Sequence, residues 1–130
     1  MRQILLLSFL LLAGCAKQIK FQALPLAGSG KATVRVELTY NRNNTLRVKI
    51  SNAPEPSALN TRYTRYVLWV ATTDRQSSVN VRQLRVENGK AELLTVTPLR
   101  KFILFVTAEA QGDVMSPGPD VLFQTKEINW

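Results

Sequence analysis

The chain has 130 residues, with 17 Lys and Arg against 9 Asp and Glu and a formal net charge of +8. It holds no histidine and one cysteine, which excludes a Ser-His-Asp triad, a Cys-His pair, an ordinary zinc site and an internal disulfide. Stability therefore rests on packing. No enzymatic signature, metal-ligand spacing or cofactor motif is visible, and the composition argues against an enzyme.

Met1-Arg2-Gln3 carries one positive charge, and residues 4–12 are apolar apart from Ser8. A charged start before a short apolar run fits the n- and h-regions of a signal peptide, here expected to be a helix over 1–14. The run is too short for a permanent span, which needs roughly 20 apolar residues. It ends in Leu12-Ala13-Gly14-Cys15, which closely resembles the lipobox of bacterial lipoproteins. The resemblance implies recognition of Leu12, Ala13 and Gly14 by the signal peptidase and cleavage before Cys15. It also implies a diacylglycerol thioether on Cys15 and a further acyl chain on the new amino group. One acyl chain anchors marginally, whereas two or three hold a protein firmly. The partner so implied is a membrane, and the location the cell envelope. Ala16 in place of an aspartate resembles an outer-membrane sorting pattern, if the host is Gram-negative. The rival reading, ordinary secretory cleavage nearby, would leave a soluble protein with a free thiol.

Without the leader about 116 residues remain, enough for one domain with one core. Residues 15–30 read as a lipidated tether: Pro25 and a Gly-Ser-Gly ending interrupt them and no periodicity is sustained. Lys17 and Lys20 are linker charges, each able to gain about 1 kcal/mol against an anionic leaflet. Phe21, Leu24 and Leu26 could dock on the domain as an extra edge segment.

The folded domain is expected over 31–130. Residues 34–40 (VRVELTY) alternate strictly, as a half-buried strand does. Asn41-Arg42-Asn43-Asn44 is a turn. Leu46, Val48 and Ile50 then alternate with Arg47 and Lys49, giving a hairpin with one wet basic face. Pro54 and Pro56 mark a loop that cannot continue the ladder. Residues 66–71 (YVLWVA) form a continuous apolar strand, expected to be central. A polar turn over 74–78 leads to a strand over 79–86, whose phase breaks around Arg82-Gln83, where a bulge fits. Glu87-Asn88-Gly89-Lys90 is a hairpin turn of type I′ sequence, returning through 91–96. Residues 102–106 (FILFV) are a second continuous apolar strand. A Gly/Pro loop over 110–120 and a last strand over 121–128 complete the chain.

About seven strands in about 100 residues, with no helical stripe, predict an antiparallel β-sandwich of immunoglobulin-like type. The two apolar runs then fall at strands C and F, which are neighbours in that fold, and Trp69 is expected to plug the core. Residues 66–109 also loosely resemble the extracytoplasmic domains of anti-sigma-K-type factors and of small uncharacterised lipoproteins. The resemblance rests on the Tyr66-Val67-Leu68-Trp69 strand, the Asn88-Gly89 turn and Val106-Thr107-Ala108-Glu109. It carries no functional residues.

Arg62-Tyr63-Thr64-Arg65-Tyr66 interleaves basic and aromatic residues, as polyanion surfaces do. With Arg82, Arg85, Arg100 and Lys101, and with Arg75 able to extend them, Arg62 and Arg65 form a candidate anion-binding rim; a solvated edge is the plainer alternative. Outside the cytoplasm its partner would be an anionic envelope polymer or lipid head group, and nucleic acid is disfavoured. Glu109, Asp113 and Asp120 flank the Gly/Pro loop, but their spacing fits an ordinary strand connection better than a calcium site. The two apolar strands have no polar face, so either the tether covers their outer side or a protein partner does. The function expected is a lipid-anchored binding or structural module of the envelope. The alternative is an accessory or pilot subunit of a secretion or envelope-assembly machine.

Overall fold

A computed structural model describes residues 16–129; the expected leader and the motif Leu12-Ala13-Gly14-Cys15 lie outside them. Two antiparallel sheets face each other. One is ordered β1 (Ala16–Lys20), β3 (Lys31–Leu38), β4 (Asn44–Ser51), β7 (Ala91–Thr97). The other runs β2 (Gln22–Ala23), β9 (Val121–Gln124), β8 (Lys101–Glu109), β5 (Arg65–Ala71), β6 (Ser78–Leu84), with β10 (Ile128–Asn129) paired to β8. This is an all-β, immunoglobulin-like sandwich. Strands β5 and β8 are neighbours, as expected of C and F, and β6 lies beside β5 in the C′ place.

Residues 16–30 are folded rather than a free tether. β1 pairs with β3, placing Ala16 across from Glu37 and Lys20 across from Thr33. The chain then changes sheets at Phe21, whose N–H donates to the Ala32 carbonyl at 2.9 Å and whose ring meets Phe123 edge-on. β2 pairs with β9, and a 3-10 turn, Pro25–Ala27, buries Ala27. Two sheet edges that would otherwise lie open supply the backbone partners, and Phe21 supplies the burial. Of the three residues expected to dock, Phe21 reaches the core, Leu24 is half-buried and Leu26 is exposed.

Between the sheets, Tyr66, Leu68 and Val70 of β5 and Phe102, Leu104 and Val106 of β8 join Val34, Val36, Leu46, Val48 and Ile50 in one cluster. Trp69 is fully buried but is not part of it. With Val67, Ala71 and Phe105 it forms a second, smaller cluster on the other side of the sheet, against Val114 and Val121. Loop 110–120 closes that side. Asn80 Nδ2 donates to the carbonyls of Gly112 and Val114, both at 2.9 Å, and Thr64 Oγ1 donates to that of Ala110 at 2.7 Å. The outer side of the apolar strands is thus covered by the chain's own Gly/Pro loop rather than by the tether. Parity explains the misplaced tryptophan: where both faces of a strand are buried, alternation cannot say which face is the core.

Asn88 (φ 54°) and Gly89 (φ 76°) form the expected type I′ bend, with Glu87 and Lys90 bonded in both directions. The strands it joins do not pair with each other, however. β6 belongs to one sheet and β7 to the other, so the bend sits on a crossover. The register of β5 with β6 slips between Leu68 and Trp69, which leaves Val81 as the extra residue of a bulge next to Arg82.

Candidate anion-binding site

The six predicted rim residues do not form one surface. Arg65, Arg82 and Arg85 come together around a shallow hollow with Gln83, whose Oε1 accepts from Arg65 Nε at 3.0 Å. Arg62 lies on the turn just before β5, at the same end of the sandwich. Arg100 and Lys101 lie at the opposite end, because β8 runs antiparallel to β5 and Arg65 faces Glu109, the last residue of β8. Lys101 is also paired with Glu127 at 3.5 Å. Closeness in sequence to an aromatic-basic motif did not reveal this division.

The better-formed site lies around Arg85, in part on the basic hairpin face noted above. A cleft of about 650 Å³ is lined by Lys31 and Thr33 of β3, Lys49 and Ser51 of β4, Glu92 of β7, and Arg85, Glu87 and Lys90 of the crossover. Antiparallel register builds its floor, with Lys31 across from Ser51, Thr33 across from Lys49 and Lys49 across from Glu92. The crossover forms its wall, and the bend that carries Lys90 is held from behind by Ala53, whose N–H donates to the Gly89 carbonyl at 2.9 Å. Pro54, next in the same loop, accepts the Tyr66 hydroxyl at 2.6 Å. Burial pushes the Tyr66 phenol up to about 12, with a further push from Glu55, so it stays a donor at ordinary pH.

Four cations thus surround the cleft against two acids, of which Glu92 is engaged by a cation outside the cleft and Glu87 is only loosely paired within it. Glu92 stands across from Lys49, yet its carboxylate reaches diagonally to Arg47 at 2.9 Å. Glu87 is 4.0 Å from Arg85, both highly exposed, a pairing of about 0–1 kcal/mol. Among the described residues Lys31, Lys49 and Lys90 make no ion pair. Arg35 and Arg47 stand directly across from each other on the same face, a repulsion that Glu92 relieves at Arg47. Lysine ammoniums offer point charges and Arg85 a planar fork, a set suited to phosphate or carboxylate.

Two of the three acids at loop 110–120, Glu109 and Asp120, serve the fold, whereas Asp113 is exposed. Trp69 Nε1 donates to Thr107 Oγ1 at 2.9 Å, and that hydroxyl donates to Glu109 Oε2 at 2.6 Å. The same Oε2 accepts the Gly118 N–H at 2.8 Å, while Asp120 accepts the Tyr63 hydroxyl. That hydrogen bond, with burial and the charge of Asp120, raises the Tyr63 phenol above its ordinary value. Among the described residues no group of acids, histidines or cysteines is arranged to hold a metal ion.

Comparison with known protein families, curated proteins and solved structures finds no match for this chain.

Proposed function

We propose that this protein is a binding module of the cell envelope, anchored by acyl chains on Cys15, that takes an anionic envelope polymer in the Lys31–Lys49–Lys90 cleft. The observation carrying this reading is the set of lysines, none of them in an ion pair among the described residues, that the fold gathers around one concavity while Glu92 pairs with Arg47 outside it. The lipobox-like Leu12-Ala13-Gly14-Cys15 supports the anchor, and Ala16 supports the outer membrane in a Gram-negative host. The wanted ligand carries repeated phosphates or carboxylates, since several fixed cations reward several linked anions.

Calorimetric titration with polyphosphate tests the reading. Engaging three or four phosphates predicts that log affinity falls with log salt with a slope on the order of 2–3. Lys49→Gln with Lys90→Gln should weaken binding about tenfold or more, an effect on the order of 1.4 kcal/mol, and leave thermal stability unchanged. Salt-independent binding, or none at low salt, contradicts the proposal.

A second reading has its own observation. Leu94 and Val96 on the edge strand β7 are 54% and 56% exposed, side by side on the outward face with Arg47 and Thr45 across from them. Such a pair suits a protein partner, as an accessory or pilot subunit of an envelope machine would have. Crosslinking from position 94 to one envelope protein in intact cells, lost in Val96→Glu, would favour it over the polymer reading.

A further inference from the structure

Strand β1 starts at Ala16, directly after Cys15, and its first residue stands across from Glu37 at one end of the four-stranded sheet. No free spacer separates the lipidation position from the folded domain. Whatever holds Cys15 therefore sets which end of the sandwich meets the bilayer. Three turns project at that end: 39–43 between β3 and β4, 72–77 between β5 and β6, and 98–100 between β7 and β8.

The chemistry of two of these turns suits a bilayer surface. Tyr40 is 101% exposed and Leu99 37%, and Arg42 and Arg100 are exposed beside them. Arg42 is held at φ 67° by a network in which Thr39 Oγ1 donates to the Asn43 carbonyl at 2.9 Å and also bonds Asn41 Oδ1. The buried Asn44 ties the two turns together, donating from Nδ2 to the Leu99 carbonyl at 2.8 Å. Tyr40 and Leu99 are thus exposed on two turns joined by one hydrogen bond, each turn carrying an arginine. Tyrosine is favoured at the head-group level of a membrane, and each nearby Lys or Arg is attracted to anionic lipid. The third turn carries both Asp74 and Arg75 and is close to neutral. Lys17 Nζ, one residue into β1, donates to the Asn129 carbonyl at 3.2 Å, which ties the anchored strand to the opposite sheet.

We infer that this end of the sandwich is a second membrane contact, with Tyr40 and Leu99 entering the interface of an anionic bilayer and Arg42 and Arg100 on its head groups. The inference rests on the anchor at Cys15. It fixes the orientation: the cationic cleft, about six residues and so about 20 Å further along the strands, faces away from the bilayer. Arg100, which does not join the rest of the predicted rim, acquires a role here.

The test uses the acylated, processed protein purified from membranes and reconstituted into phosphatidylglycerol-containing vesicles. Cys15 is the sole native cysteine and is blocked by lipid, so Pro98→Cys and Glu87→Cys each place one fluorophore, beside the proposed contact and beside the cleft respectively. Quenching by lipids bearing a head-group nitroxide should be several-fold stronger at position 98 than at 87. Arg42→Gln with Arg100→Gln should reduce that difference. Equal quenching means that the sheet lies flat on the membrane. Stronger quenching at 87 means that the cleft faces the lipid, and weak quenching at both means that the domain stands off; each overturns the inference. The intact mass separates the two failures: an acylated protein with the wrong pattern refutes the orientation alone, whereas a protein without acyl chains refutes the anchor as well.

Discussion

At one end of the sandwich, turns 39–43 and 98–100 carry an exposed tyrosine and leucine between arginines; at the other, the crossover 85–90 walls a cleft floored by lysines. Both ends are basic, but the cations are displayed differently. Near Ala16 they flank apolar side chains on convex turns, which suits a broad, yielding surface such as lipid. Around Lys31 they surround a concavity and outnumber its acids, which suits a discrete anionic chain. Net charge alone could not separate these two uses.

The contrast depends on a rigid body between the ends, and the largest expected effect comes from breaking that body. Trp69→Ala removes the centre of the second cluster, its stack on Phe105 and its bond to Thr107. A loss of about 3–5 kcal/mol is expected, read by denaturant unfolding, with faster proteolysis within loop 110–120. A loss below about 1 kcal/mol would mean that the loop does not seal that face. Gly89→Ala acts on the cleft end alone. Its φ of 76° makes a side chain cost roughly 1–2 kcal/mol, and the shifted bend should weaken polyphosphate binding without altering quenching at position 98. Unchanged affinity would show that the placement of Lys90 is immaterial.

The smallest effect at neutral pH concerns the support behind that bend. Tyr66→Phe removes the hydrogen bond to Pro54, costing about 1 kcal/mol. Its pH signature is sharper. The folded phenol titrates near 12 against an ordinary value near 10, so the fold favours the neutral form. That contribution is fully present below pH 10 and is lost as pH rises through 12. The native chain should therefore lose stability more steeply than Tyr66→Phe across that window, and parallel curves would show that Tyr66 is not held neutral by burial.

Much of this architecture was legible in period-two patterning. The strands around 34–50 and the bulge near Arg82 followed from alternation and its breaks, and the pairing of the two apolar runs from their places in an immunoglobulin-like strand order. The basic hairpin face was visible too, although its cleft was not, because the crossover that walls it comes from residues more than thirty positions away. Strand β1 escaped notice because, as an edge strand, it buries almost nothing: Ile19 is its only large apolar residue. Asn88-Gly89 announces a bend but cannot reveal that its flanks enter different sheets. The rim divided for a related reason, since neighbours in a list of arginines can stand at opposite ends of antiparallel strands.

The most direct test of the account is hydrogen exchange on the acylated protein in phosphatidylglycerol nanodiscs, with and without polyphosphate. The account predicts that polyphosphate slows exchange in 85–90 and leaves 39–43, already shielded by the bilayer, unchanged. Slowing confined to 39–43 and 98–100, or slowing nowhere, would contradict it.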